Sequence, residues 1–177
     1  MKKYEFTGET KEIRLLFRTA TLHRIRATVA FGIVEVGDLG GWIEKEENLS
    51  HEGKAWVWGN AKVWGNAEVW GNAKVCGDAK VWGNAKVCGD AKVFSASHVL
   101  VIGAIGSRND FTTFYRDKDN EITVKCGCFL GKIDRFLEKV TQTHGDSKYA
   151  LVYRAAVEVA KLQIDLSGEA PKDADEE

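Results

Sequence analysis

The residues of this chain with chemistry to offer are four histidines, four cysteines, a short arginine-containing polar segment, and a series of tryptophans and lysines at regular spacing. His23, His51, His98 and His144 are scattered, with no close pair. A metal centre of the three-histidine kind needs its ligands to converge, so this spacing argues against one. Cys126-Gly127-Cys128 is too tight for a zinc site, which takes Cys-x2-4-Cys and two further ligands. The pair reads instead as strand residues facing the core. Cys76 and Cys88 project from different faces of their segment and are not expected to pair. Ser107-Arg108-Asn109-Asp110 combines a guanidinium with hydroxyl and amide neighbours, a set that holds a phosphate or carboxylate. It could equally fix a junction by hydrogen bonds to backbone. Ser107, Arg108 and Asp110, together with His144, form one candidate ligand site. No residue is assigned a catalytic or metal-ligating role, and no cofactor is expected.

The aromatic and basic residues are placed by an internal repeat. Valine recurs every six residues from Val57 to Val93, and alanine from Ala55 to Ala91. Between them lies Gly-Asn or Gly-Asp, so the unit is Val-x-Gly-[Asn/Asp]-Ala-x. A period of six suits no helical face. It does suit short strands separated by tight turns, with β-branched valine in the strand and Gly and Asn/Asp at the corners. Three units make one triangular coil, and successive coils stack at roughly the 4.8 Å spacing of paired strands. Valines then form three inward columns. The residues after them, Trp58, Trp64, Trp70, Cys76, Trp82, Cys88 and Phe94, point outward in three stripes. Trp58, Trp64, Trp70, Trp82 and Phe94 are candidate interface residues, because a large exposed aromatic patch marks a binding surface. The alternative is that they bury against the flanking segments and sister subunits. Lys62 with Lys80, and Lys74 with Lys92, stack one coil apart. Beside the aromatic stripes they would make a groove for a nucleotide, by charge and base stacking. Alternatively they form a solvated ladder that keeps the faces soluble.

With its aliphatic first position and small fifth position, the repeat resembles the hexapeptide-repeat family. That resemblance implies a mainly β fold, a left-handed parallel β-helix over 51–108. The register extends through Gly53 and Ala55, which places His51 in a valine column, and through Val99 and Ile105. The helix would have about three coils, a short array with two open ends that needs caps. Many hexapeptide proteins are coenzyme A-dependent acyltransferases that use one histidine as base, and many trimerise. Here glycine sits at the third position rather than the second, the repeat has no extruded loop, and neither His51 nor His98 lies on one. The acyltransferase reading is therefore the alternative, and the homotrimer is the expectation.

Residues 1–50 read as a β-rich cap, with Leu22 to Ala27 alternating apolar and basic. Residues 109–167 read as a ββαα unit. Strands are expected over Phe111–Arg116 and Ile122–Phe129, and amphipathic helices over Lys132–Thr143 and Tyr149–Ile164. Residues 168–177 are acidic and read as a disordered tail. The segments Gly37-Asp38-Leu39-Gly40-Gly41-Trp42-Ile43-Glu44-Lys45-Glu46-Glu47-Asn48-Leu49-Ser50, Ile105-Gly106-Ser107-Arg108-Asn109-Asp110, Cys126-Gly127-Cys128-Phe129 and Thr143-His144-Gly145 are similar to those of a group of phage and prophage proteins. This implies a mobile-element origin.

The 177 residues carry a net charge of −1, with 44% hydrophobic and 29% charged residues. Neither a nucleic-acid footprint nor a DNA-mimicking surface shows in that balance, so sequence-specific DNA binding is not expected. No apolar run approaches the ~18 residues of a membrane span, and no apolar signal core follows Met1-Lys2-Lys3. A cytoplasmic protein with reduced thiols is expected. The functional expectation is a non-catalytic, oligomeric binding protein of the host cell cytoplasm. It would act as a counter-defence factor that blocks a host immune protein or sequesters an anionic nucleotide signal.

Overall fold

The computed structural model describes residues 2–167, so the expectation for 168–177 lies outside the described residues. Among the described residues the protein is mainly β, with two α-helices. Strands β1 (Tyr4–Arg14) and β2 (Thr19–Ala27) form an antiparallel hairpin. β3 (Leu39–Ile43) runs antiparallel to β2, with Arg24 opposite Trp42. Seven two-residue strands follow: β4 (Trp56–Val57), β5 (Lys62–Val63), β6 (Glu68–Val69), β7 (Lys74–Val75), β8 (Lys80–Val81), β9 (Lys86–Val87) and β10 (Lys92–Val93).

These strands pair in three parallel ladders. Val57 faces Val75, which faces Val93; Val63 faces Val81; Val69 faces Val87. Each partner is eighteen residues away, three repeat units. All seven valines and all seven alanines of the repeat are buried. The corner glycines from Gly53 to Gly89 take positive φ, between 54° and 74°. That is the conformation a Cβ resists, and it explains glycine at every corner. The following Asn or Asp does not take positive φ. Two such side-chain pairs bond along the ladder: Asn66 Nδ2 donates to Asn84 Oδ1 at 3.3 Å, and Asn72 Nδ2 to Asp90 Oδ1 at 3.2 Å.

The ladders begin before residue 51. Ile43 faces Val63 and Leu49 bridges Val69, both in parallel and both twenty residues away rather than eighteen. Lys54 N already donates to Gly71 O, in step with the later units. Two extra residues therefore lie between Leu49 and Gly53. Gly53 and Ala55 hold the repeat register, but His51 does not enter a valine column. Its ring stacks on Tyr4 at 4.3 Å, and its Nδ1 accepts from Lys3 N at 3.1 Å. Close approach of β3 to the repeat requires Gly40-Gly41, because a Cβ on Gly41 would lie 2.7 Å from Ala61 O and from Val57 Cγ1.

Val99 and Ile105 do not continue the repeat. They lie in β11 (Val99–Ile105), which runs antiparallel to β12 (Asp110–Arg116). β13 (Ile122–Cys126) and β14 (Phe129–Lys132) complete a four-stranded antiparallel sheet. Residues 122–129, expected as one strand, are split by a turn at Gly127, whose φ is 55°. This sheet meets the last repeat units. Tyr115 Oη donates to Cys88 O at 2.9 Å, and Lys86 N donates to Thr113 Oγ1 at 3.0 Å. Helices α1 (Ile133–His144) and α2 (Lys148–Gln163) pack on the sheet through Phe136, Val140, Tyr153, Val157 and Ala160.

Buried Asn48 joins the amino-terminal segment to the repeat. Its Oδ1 accepts from Glu44 N and Lys45 N, and its Nδ2 donates to Gly65 O and Ala67 O. Alanine at this position leaves several buried backbone groups unpaired, each costing ~1–3 kcal/mol. Asn48→Ala is expected to lower unfolding stability by roughly 3 kcal/mol, read as a lower urea midpoint at unchanged slope.

Candidate functional site

Lys80, Val81 and Trp82 are consecutive. Alternation along a strand sends Val81 inward and both neighbours outward on one face. Lys62-Val63-Trp64 does the same on the neighbouring strand of the ladder, since Lys62 faces Lys80. The two indoles stack with centroids 5.4 Å apart and planes 10° from parallel. Trp64 is buried under Leu22 and Trp42, with Ile13 and Leu15 alongside. Trp82 is the open end of this stack, 48% exposed. It borders a cavity of about 360 Å³, lined chiefly by Val99, Leu100, Val101, Phe111, Asn84 and Gln163. Phe111 is also exposed, so two aromatic rings and two amides line an otherwise apolar hollow. Partial burial first, then the charges of Lys11 and Lys80, hold the Lys62 ammonium below the ordinary lysine value, against an opposing pull from Asp78. Two further cations thus act on Lys62 along this face.

The other stripes are engaged differently. Trp58 meets the buried Trp56 edge-on at 6.4 Å, and Phe94 meets His98 at 5.8 Å. Trp70 borders an open, acidic hollow with Glu46, Glu47, Glu68 and His51. Lys74 and Lys92 are half-buried neighbours, on the same ladder as Trp56. Cys88 is buried and Cys76 half-buried, and neither is in a disulfide. Cys126 is half-buried, but Cys128 is exposed, which corrects the expectation that both face the core. The turn after Cys126 carries Cys128 out of the strand alternation.

Ser107, Arg108 and Asp110 are exposed at the turn between β11 and β12. Tyr153 links this turn to His144. A Cβ on Gly106 would lie 2.0 Å from Tyr153 Oη, and the His144 ring stacks on Tyr153 with centroids 5.8 Å apart. Cys126 Sγ lies 3.8 Å from the Tyr153 hydroxyl. Burial first, then the neighbouring Cys126 and Asp110, push the Tyr153 phenol up to about 12, while Arg108 pulls against them. Sequence reasoning brought Arg108 and His144 to one site but missed Tyr153, which reads as an ordinary apolar position of α2.

The two histidines nearest the repeat are held in structural contacts. His98 Nδ1 accepts from Phe94 N at 3.1 Å, and its Nε2 lies 3.3 Å from Arg116 Nη1. Burial and the Arg116 charge hold its pKa below the ordinary value, against Asp165, and so favour the neutral ring. Among the described residues, no group of three or more His, Cys, Asp or Glu side chains is placed to hold a metal ion. None of the described helices is long and apolar enough to cross a membrane. No protein-family model matches the chain, and no curated protein does.

Asp117 organises the carboxy-terminal sheet. It accepts from Thr123 Oγ1 and Lys132 Nζ, both at 2.5 Å, and Lys132 also reaches Glu121 at 2.6 Å. Burial alone would raise the carboxyl pKa; the Lys132 ammonium, the Thr123 hydroxyl and the N–H groups of Asp119 and Glu121 outweigh it and lower it. A carboxylate with a depressed folded pKa stabilises above its unfolded value, about pH 4. That contribution is lost as pH falls through the folded value. Urea midpoints measured from pH 6 down to pH 2 should therefore fall more steeply for the wild type than for Asp117→Asn. Parallel curves would contradict this.

Proposed function

We propose that this protein is a non-catalytic binder that takes an anionic nucleotide at the Trp82 face. The observation that carries the reading is the open Trp82 indole, stacked on Trp64, at the mouth of the cavity shared with Phe111. A base inserted there gains aromatic contact on Trp82 and Phe111, and its polar edge meets the Asn84 and Gln163 amides. Base–aromatic stacking contributes ~1–3 kcal/mol per base. Lys80, on the same face, supplies charge for the phosphate, with Lys62 one coil below. Placement of these residues follows from a left-handed β-helix of about three coils, the reading favoured by the eighteen-residue ladders and by the resemblance of the repeat.

The same reading places the protein in the cytoplasm of a phage-infected host, where it removes a nucleotide signal of host defence by holding it. Binding is favoured over acyl transfer by the contacts of His51 and His98, whose Nδ1 atoms both accept backbone N–H groups.

Isothermal titration with a panel of mono-, di- and cyclic nucleotides tests the proposal. The wild type is expected to bind at least one of them. Trp82→Ala should weaken that binding roughly tenfold or more. The double variant Lys62→Ala, Lys80→Ala should weaken it and flatten its salt dependence. Urea unfolding of each variant confirms that the fold is retained. Absence of binding across the panel, or binding indifferent to Trp82, overturns the proposal; consumption of acetyl-coenzyme A by the wild type would favour the acyltransferase reading.

A further inference from the structure

Strands β11 and β12 keep one register from Val99 opposite Tyr115 to Ile102 opposite Thr112, and then break it. The next partners are Ile105 and Asp110. Gly103 and Ala104 together therefore oppose Phe111 alone, a β-bulge. The bulge resets the alternation of side chains along β11. Val99 and Val101 pack on the side of the repeat, Leu100 and Ile102 on the side of the helices. Ile105 also packs on the side of the helices, which strict alternation from Ile102 would forbid. β12 alternates without interruption. Phe114 packs among the helices, whereas Thr113 and Tyr115 bond the repeat through Lys86 N and Cys88 O. Phe111 shares the side of Thr113 and Tyr115. Beside Asn84 and Ala85, it becomes a wall of the cavity at Trp82.

The Phe111 ring lies on Gly103. A Cβ there would be 2.5 Å from Phe111 Cδ1 and 2.8 Å from its Cγ and Cα. Gly103 does not take positive φ, so its backbone does not call for glycine. The ring does. We infer that Gly103 is a positioning residue of the nucleotide site. By lacking a Cβ, it seats the Phe111 ring against β11 and keeps the cavity beside Trp82 open. With a methyl group at position 103 the ring must leave that seat, and the space it borders is the cavity. Bulges re-aim side chains in this way beside binding sites. The inference deepens the nucleotide reading and rests on it for the ligand. The seat of the ring is tested without one.

Acrylamide quenching of fluorescence and isothermal titration, both on the full chain, test the inference. Trp82's share of the quenching is the difference between a protein and its Trp82→Phe variant. Gly103→Ala should abolish most of that share, because the displaced ring fills the hollow that Trp82 borders. Adding Phe111→Ala should restore it. In titrations with the nucleotide that the wild type binds best, Gly103→Ala should weaken binding roughly tenfold or more, the scale of one lost base–aromatic stack. In a Phe111→Ala protein, where no ring is left to displace, it should weaken binding no further. The urea midpoint should likewise fall less on Gly103→Ala in the Phe111→Ala background than in the wild type, the coupling expected of two residues in contact. An unchanged Trp82 share, or a binding penalty as large without Phe111 as with it, overturns the inference. A wild type that binds no nucleotide, while Gly103→Ala still shields Trp82, overturns the nucleotide reading alone.

Discussion

Everything in this protein is hung on the pairing of the chain with itself eighteen residues on. Valine faces valine across each parallel ladder, alanine is buried beside it, and glycine takes the positive-φ turn between strands. The strands are only two residues long, so none is stable alone. Their stability comes from stacking, and stacking needs both ends covered. The amino-terminal end is covered by Tyr4, Ile25, Phe31 and Val34 around Trp56. The other end is covered by Tyr115 and the antiparallel sheet.

The repeat was legible because its residues are nearly identical from unit to unit. Its true start was not. Ile43 and Leu49 occupy ladder positions without the Val-x-Gly-Asn-Ala signature, and the two residues added after Leu49 break the count. Gly53 and Ala55 keep the later register, which made His51 look like a column residue. At the far end, Val99 and Ile105 fit the period by identity alone. Residues 110–116 offer β11 a longer antiparallel partner than one more two-residue ladder rung, and that pairing wins. The helices were read within a residue or two of their ends because α1 and the buried side of α2 follow the helical period.

The candidate site was half legible. The six-residue period places Lys62, Lys80, Trp64 and Trp82 on one face, and the ladder pairs them accordingly. It says nothing of Phe111 or Gln163, which reach the cavity only through the packing of β12 and α2. Nor does it say which indole is covered. That is decided by the β1–β2 hairpin, which lays Leu22 over Trp64 and leaves Trp82 open. Aromatic residues identical in the repeat thus have different fates, set by neighbours distant in sequence. Arg108 and His144 carry no spacing signal that joins them, and Tyr153, which stacks on His144 and packs on the turn before Arg108, reads as one more apolar position of α2.

Changing the length of the repeat tests the eighteen-residue pairing most directly. Deleting residues 69–86 removes one full eighteen-residue pairing period, joins Glu68 to Val87, and leaves the ladders in phase with both flanking segments. Deleting residues 69–80 removes two units and joins Glu68 to Val81, which puts the ladders one unit out of step with the flanking segments. Urea unfolding followed by circular dichroism should show a cooperative transition for the eighteen-residue deletion and its loss for the twelve-residue deletion. Equal behaviour of the two, or collapse of the eighteen-residue deletion alone, would contradict the account.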